Sequence, residues 1–374
     1  MTPTERIPLL NPSPPENAEP AKRSFLSLAE EEFDSFCLAR NDKPSLRSRQ
    51  IWSWLARGIG NWEGMTDLSA SLRSALAAQW DLFASKIVLH SRATDLTEKL
   101  LLEFPDAKQI ETVLMREENR RTICLSTQVG CGMGCVFCAS GLEGMQRNLQ
   151  TSELFEQILR VREILGPAER LSHIVVMGMG EPLANLERLL PVLDWACSEK
   201  GLGISARNVT ISTVGLPKKI VELASHSKPY HLAVSLHAPN DALRNRIVPT
   251  NQGTGLEVIL DAAQEYQKIS GRQVTYEYIL LAGVNDHSTH ADELGRLLTG
   301  RKSHVNLIPF NPVSGLPWKR PSQESIDLFR DRLRRFGVTA TVRKRKGADI
   351  DAACGQLRRE AARTARVMAP PSIS

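Results

Sequence analysis

No stretch of this 374-residue chain approaches the roughly 18 consecutive apolar residues that cross a bilayer as a helix. The opening MTPTERIPLLNPSPPENAEPAKRS has no apolar core of the kind a signal peptide carries. Its prolines and polar residues predict a disordered tail over 1–24. A cytoplasmic protein with no membrane association is the expectation. Neither sign of charge dominates: Lys+Arg 47 against Asp+Glu 42 gives +5, which permits nucleic-acid binding without demanding it. The seven cysteines are not spaced as a disulfide scaffold. In a chain this long they suggest a reducing compartment and metal or redox work.

Three of them cluster instead, as C-x3-C-x2-C: Cys131, Cys135 and Cys138 within QVGCGMGCVFCASG. Thiolates are soft ligands that suit iron–sulfur clusters, zinc and copper(I). A structural zinc or a fully ligated cubane takes four protein ligands, so three leave one metal corner open for chemistry. Phe137, before the last cysteine, suits a loop that shields a cluster from water. The spacing resembles that of the radical S-adenosylmethionine (SAM) superfamily. That resemblance implies a [4Fe-4S] cluster whose open iron chelates SAM and cleaves it reductively to a 5′-deoxyadenosyl radical. A zinc knuckle completed by a distant His173 or His237 is the competing reading.

Residues 25–94 read as a small helical accessory domain. LAEEEFDSFCLA, LRSRQIWSWLARGI and LSASLRSALAAQW place apolar residues at three- and four-residue intervals, and Gly58 and Gly60 punctuate a turn. Trp52 and Trp54 are expected as core and rim of a helix rather than as base-stacking platforms. Residues 95–119 read as a short β extension containing IETVLM. From 120 to 357 strand and helix alternate. Strands are expected at RTICLST, SHIVVMG, RNVTIST, HLAVSLH, VTYEYILL and HVNLIPF, with helices near 151–165, 186–199, 217–225, 256–270, 289–299 and 322–336. Six βα units and a last strand, VTATVRK, predict an α/β fold: a partial (β/α)6 barrel on a parallel sheet, open on one side. Residues 358–374 form a basic C-terminal tail.

Polar and glycine-rich strings follow the expected strands: QVGC, MGEP, ST, SLH, GVND and FNP. In parallel βα folds that end of the sheet is the active face, so six strings converge on one rim. In MGMGEP, Gly178 and Gly180 let backbone approach a ligand closely, and Glu181 offers an acceptor to an amine; an ordinary strand-to-helix loop is the plainer reading. Ser212 and Thr213 offer hydroxyls, or simply cap a turn. Ser235 and His237 follow in SLHAPND, and a strand-end histidine is more often satisfied locally than catalytic. Asn311 reads an adenine edge through its amide, or only turns the chain before Pro312. His287 and His290, with Asp286 and Asp292, have metal-like spacing, but NDHSTHADEL reads better as a helix start capped by Asp286 or Ser288. Cys124 lies on the strand leading into the cluster and Cys354 in GADIDAACGQLRRE. Buried core thiols are the plain reading for both, and that reading is adopted for Cys37 and Cys197.

Taken together, these strings resemble the RlmN/Cfr family of radical SAM RNA methyltransferases. The matching segments are IETV (110–113), CLSTQVGCGMGCVFCASG (124–141), RNL (147–149), MGMGEPLANL (177–186), SLHAPND (235–241), RIVPTN (246–251), GVND (283–286), NLIPFNP (306–312) and DIDAACGQL (349–357). The resemblance implies that Cys131, Cys135 and Cys138 hold the cluster. Gly180, Glu181, Ser212, Ser235, Leu236, His237 and Asn311 would line the SAM pocket. Cys354 would carry the methyl group, Cys124 would resolve it, and Glu111, or another base, would remove the ring proton.

In that scheme one SAM methylates the Cys354 thiolate and a second yields the radical that takes hydrogen from the S-methyl group. The methylene radical adds to the ring, and the Cys124 thiolate attacks the Cys354 sulfur, releasing methylated RNA as a disulfide forms. Such a route suits an amidine-type adenine carbon, at which ordinary displacement from the SAM sulfonium fails. The implied substrate is an adenosine of 23S ribosomal RNA, with transfer RNA beside it. An electron donor such as flavodoxin with its reductase, and a monomeric protein, are implied as well. Proline after Glu181 favours carbon 2 of adenine over the Cfr-like carbon 8. A non-catalytic zinc-dependent RNA-binding module is the distant alternative. Arg343, Lys344, Arg345, Lys346, Arg358 and Arg359 are candidate phosphate contacts, or a solvated face, and the adenine would have to be unstacked to enter.

Overall fold

The computed structural model describes residues 22–142 and 144–357; most of the 1–24 tail, and the 358–374 tail with Arg358 and Arg359, lie outside them. Three helices open the chain: α1 (Glu30–Leu38), α2 (Pro44–Ala56) and α3 (Ala70–Gln79). Their starts follow from local chemistry. Three glutamates in the first turn of α1 meet the positive end of its dipole, Pro44 occupies the first turn of α2, and Ser69 Oγ accepts from Leu72 N at α3. Their apolar faces close a separate core around Trp62 and Trp80. Trp52 packs on Phe155 and Trp195, at 5.0 and 5.3 Å between ring centroids. Trp54 sits at the rim with Arg57 stacked 3.7 Å over it.

The sheet begins earlier than the sequence implies. β1 (Lys86–Arg92) occupies the end of the stretch read as helical, and pairs antiparallel with β2 (Glu98–Glu103), which pairs with β3 (Gln109–Glu117). β1 is an edge strand with no fully buried residue, so KIVLHSR lacks the apolar alternation that marks a half-buried strand. β3 pairs antiparallel with β4 (Arg120–Cys124), and the extension thereby runs continuously into the barrel sheet.

After β4 the chain makes a small hairpin, β5 (Gln128–Gly130) and β6 (Met145–Asn148), around the clustered cysteines. It then alternates: α4 (Thr151–Leu165), β7 (His173–Val176), α5 (Leu186–Cys197), β8 (Val209–Thr213), α6 (Pro217–Ala224), β9 (His231–Ser235), α7 (Asp241–Ile247), α8 (Leu256–Ser270), β10 (Val274–Leu280), α9 (Ser288–Leu298), β11 (Ser303–Pro309), α10 (Gln323–Arg335) and β12 (Thr339–Val342). Strands β4, β7, β8, β9, β10, β11 and β12 lie in that order and are all parallel. This is the six-unit barrel with a closing strand that the sequence implies. Ile174, Ile211, Leu232, Val234, Tyr278 and Leu307 of these strands are fully buried, as strands covered on both faces require.

Two local expectations need correction. α7 was not foreseen; Asn240 Oδ1 caps it, accepting from Leu243 N at 2.9 Å. α9 starts at Ser288, but its cap residue is His287 with no side-chain bond, because Asp286 Oδ1 is taken by Gly283 N at 2.8 Å.

The open side of the barrel is crossed by the segment after β12. At one end Gly347 N donates to Asp95 Oδ2 (3.1 Å), Thr94 N to Asp349 Oδ2 (3.0 Å) and Lys99 Nζ to Asp351 O (3.2 Å). At the other, Ala139 N donates to Gly355 O (2.8 Å) and Ser140 Oγ to Leu357 O (2.7 Å). Cys354 is thus clamped between the β1–β2 hairpin and the cysteine loop.

Candidate active site

The strand ends line an open cavity whose wall includes Cys131, Cys135, Cys138, Gly180, Glu181, Ser212, Ser235, His237 and Cys354. The cysteine loop is shaped by glycine. Gly130 has φ +78°, and a Cβ there would lie 2.0 Å from Gly144 O, so only glycine lets the hairpin close. Trp318 Nε1 pins the loop through Val136 O at 2.7 Å. Phe137 is buried, edge-on to the His237 ring at 4.8 Å.

Burial pushes the Cys131 thiol up to about 11 and raises Cys135 and Cys138 as well, and negative charge on neighbouring cysteines adds to each shift. Three crowded thiols that resist ionisation call for a cation. Among the described residues no three ligating side chains converge on a single ion; a cubane asks instead for one thiolate at each of three corners. Of the two fourth ligands expected for a zinc knuckle, one is remote and the other shares the cavity wall with its ring nitrogen Nδ1 already engaged. His173 begins β7, at the opposite end of the strand, bonded to Ser172 Oγ, and His237 Nδ1 accepts from Ile279 N at 3.1 Å. The residues present fit a cluster held by three cysteines.

Gly180 has φ +104°, and a Cβ there would meet Gln128 Cβ and Thr127 Oγ1 at 2.7 Å. Glu181 is buried and receives Leu183 N (3.0 Å) and Val214 N (2.8 Å), while burial raises its pKa. Ser212 and Ser235 meet across adjacent strands, Oγ to Oγ 3.4 Å. His237 holds φ +63°, and burial, with the charge of Arg244, lowers its pKa to about 3. The ring is neutral, and because Nδ1 accepts, the proton sits on Nε2.

Two of the seven residues expected in the SAM pocket do not line this cavity. Leu236 has its side chain in the core, its N–H on Glu277 O and its carbonyl on Arg244 Nε. Asn311 lines a second cavity, where its Nδ2 donates to Cys354 O at 3.2 Å and its buried Oδ1 has no partner among the described residues.

That second cavity is lined by Cys124, Cys354, Val113, Met115, Met177 and Asn311, by five cations (Arg320, Arg343, Lys344, Arg345, Lys346) and by no carboxylate. The two cavities share Met177, Ile308, Arg343 and Cys354. Cys124 ends β4, and burial, reinforced by Cys354, pushes its thiol up to about 12. Glu111 is not in either wall. Its buried carboxylate pairs with Lys99 Nζ at 2.8 Å, on the same face of β3 as Val113 and Met115. Sequence reasoning missed Glu277, a buried carboxylate in the first cavity's wall that receives Asn306 Nδ2 at 2.9 Å. A lone glutamate inside the apolar strand VTYEYILL was the available signal.

The radical SAM superfamily model matches residues 125–294. A Rhodopirellula baltica protein named probable dual-specificity RNA methyltransferase RlmN is 49% identical over 96% of this chain and 97% of its own length. A Bacillus licheniformis protein of the same name is 43% identical over 90% and 93%. The crystal structure of a radical SAM methyltransferase from Sphaerobacter thermophilus superposes with a TM-score of 0.84 at 41% identity, covering 90% of this chain and 99% of that one. A relative of such identity along nearly the whole length, added to the three-cysteine loop and the two-cysteine cavity, places the chain in the RlmN family of radical SAM RNA methyltransferases.

Proposed function

We propose that this protein transfers a methyl group from SAM to carbon 2 of an adenosine in 23S ribosomal RNA, with transfer RNA as a second substrate, using Cys354 as carrier and Cys124 as the releasing thiol. The observation that carries this reading is the place of Cys354 in the wall common to both cavities. One cavity presents the three-cysteine loop and the SAM-type strings, and the other presents the second thiol amid cations. A group loaded onto Cys354 Sγ from one side is therefore presented on the other.

When bound, the cluster and SAM supply the methyl group and the radical chemistry that makes it reactive. The chain supplies the rest. Glu181 offers its remaining lone pairs to the SAM amine, and Gly180 leaves room for it. His237 donates through Nε2. Asn311 steadies the Cys354 carbonyl while its free Oδ1 accepts an adenine amino proton. Glu111 can take the ring proton only by loosening its Lys99 pair. The relatives' names support RNA as substrate, and proline after Glu181 supports carbon 2. Because the two thiols end as a disulfide, the protein works in a reducing cytosol with a thiol reductant and an electron donor such as flavodoxin with its reductase. One copy suffices, since one chain builds both cavities.

The test is anaerobic reconstitution with SAM, a reductant and unmodified ribosomal RNA, followed by nucleoside mass spectrometry. The wild type should yield 2-methyladenosine, and Cys354→Ala should yield none while still cleaving SAM. Retained methylation by Cys354→Ala would refute the carrier role, and 8-methyladenosine would move the product to the other ring carbon.

A further inference from the structure

Arg343 follows β12 and is held by its own N–H on Leu307 O at 2.8 Å. Its side chain lies where the two cavities meet. Its one side-chain hydrogen bond among the described residues runs from Nη1 to Met177 Sδ at 3.4 Å, a weak acceptor, and no carboxylate lies within ion-pair distance of it among them. The acidic groups that act on it are Cys354 first, then Glu277 from β10, then Cys124 from β4. Glu111, the carboxylate on the neighbouring strand β3, is committed to Lys99. The remaining charges in this wall, Arg320, Lys344, Arg345 and Lys346, are all positive. A guanidinium with most of its donors uncommitted thus stands among two thiols and one carboxylate.

We propose that Arg343 is the positioning residue that times product release: an unalkylated Cys354 sulfur competes for the Arg343 charge, and once Cys354 is alkylated that charge passes to Cys124 and makes it the attacking thiolate. This rests on the proposed carrier role of Cys354. Two thiolates side by side in a buried wall are mutually unfavourable, and the resting state therefore keeps Cys124 protonated, in line with its raised pKa. A thioether at Cys354 is neutral, so alkylation removes the competitor. In the release step the Cys124 Sγ–Cys354 Sγ bond forms and the Cys354 Sγ–CH2 bond breaks. The electron pair of that bond leaves with the carbon, which takes up a proton and becomes the methyl group. The two sulfurs are oxidised together by the two electrons the carbon gains, and no outside oxidant enters. Glu277 sets how much of the guanidinium charge is left for sulfur.

The first test needs no RNA, so it is independent of the substrate assigned. In the cluster-loaded protein, the pH dependence of Cys124 alkylation by iodoacetamide is followed by peptide mass spectrometry. Cys354→Ala, which removes the competing charge, should lower the midpoint relative to wild type. Adding Arg343→Gln should raise it by a unit or more, about a tenfold loss of thiolate at neutral pH. Arg343→Lys should fall between them, and Glu277→Gln should move the midpoint down. A midpoint indifferent to Arg343→Gln overturns the proposal.

The second test uses RNA. Arg343→Gln should accumulate a covalent protein–RNA adduct, with wild type alongside forming methyladenosine. Adduct that resolves at the wild-type rate, or a variant that never forms adduct while wild type is active, contradicts a role at release. A wild type that makes no methyladenosine while the alkylation midpoints shift as expected would strike the functional reading instead.

Discussion

A methyl group added at Gly180 has no space: it would sit 2.7 Å from Gln128 Cβ on a backbone at φ +104°. Gly180→Ala is expected to cost about 1–3 kcal/mol in backbone strain alone, and to weaken SAM binding with the fold retained; equilibrium dialysis with labelled SAM checks it. At Glu111 the expected failure is different. Glu111→Gln leaves the buried Lys99 with the Asp351 carbonyl but without a counter-charge, which costs up to about 3–5 kcal/mol. A drop in melting temperature beside any loss of turnover would show that this carboxylate holds the fold as well as serving chemistry. Neither Lys99 nor Glu277 was legible as a site residue. Each matters through a partner on another strand, and a linear string does not say which strand comes alongside. The thiols and the glycines were legible because their chemistry or their φ needs no partner to be recognised.

At the scale of elements, the clamp on the Cys354 segment is the part built from unlike pieces. One jaw is the tip of the β1–β2 hairpin, through Asp95, Thr94 and Lys99; the other is the cysteine loop, through Ala139 and Ser140. Burial opposes ionisation of Asp95, but hydrogen bonds from Thr97 and Gly347 and the charge of Lys346 outweigh it and hold the carboxyl below its usual range. A depressed carboxylate contributes stability above its unfolded pKa and loses it as pH falls through the folded one. The clamp should therefore hold above about pH 4 and loosen below it. Hydrogen-exchange protection at Gly347, corrected for intrinsic rate, should fall in that window, and Asp95→Asn should lower it already at neutral pH and remove the pH dependence. The barrel strands were readable because both faces are covered and the runs are apolar. β1 was not, because a half-exposed edge strand carries neither an apolar run nor clean alternation. The short strands β5 and β6 hold too few residues to show any period.

The whole molecule has a net charge of only +5, yet the cavity lined by Cys124 and Cys354 gathers five cations and no carboxylate. Overall charge conceals this local cluster, and on the proposed function it is the face that meets RNA phosphates. Replacing Lys344, Arg345 and Lys346 with Gln should weaken RNA binding across sequences and reduce the slope of log K against log salt by up to about 2. Filter binding across a salt series measures this, and an unchanged slope would place the phosphates elsewhere.

Passage of the methyl carbon through Cys354 as a methylene can be followed with SAM whose methyl group carries three deuteriums. One deuterium is lost when hydrogen is abstracted from the S-methyl group, and solvent supplies the replacement when Cys124 releases the product. The expected product is 2-methyladenosine holding two deuteriums by mass spectrometry. A product holding all three would mean direct transfer from SAM to the ring, and would contradict it.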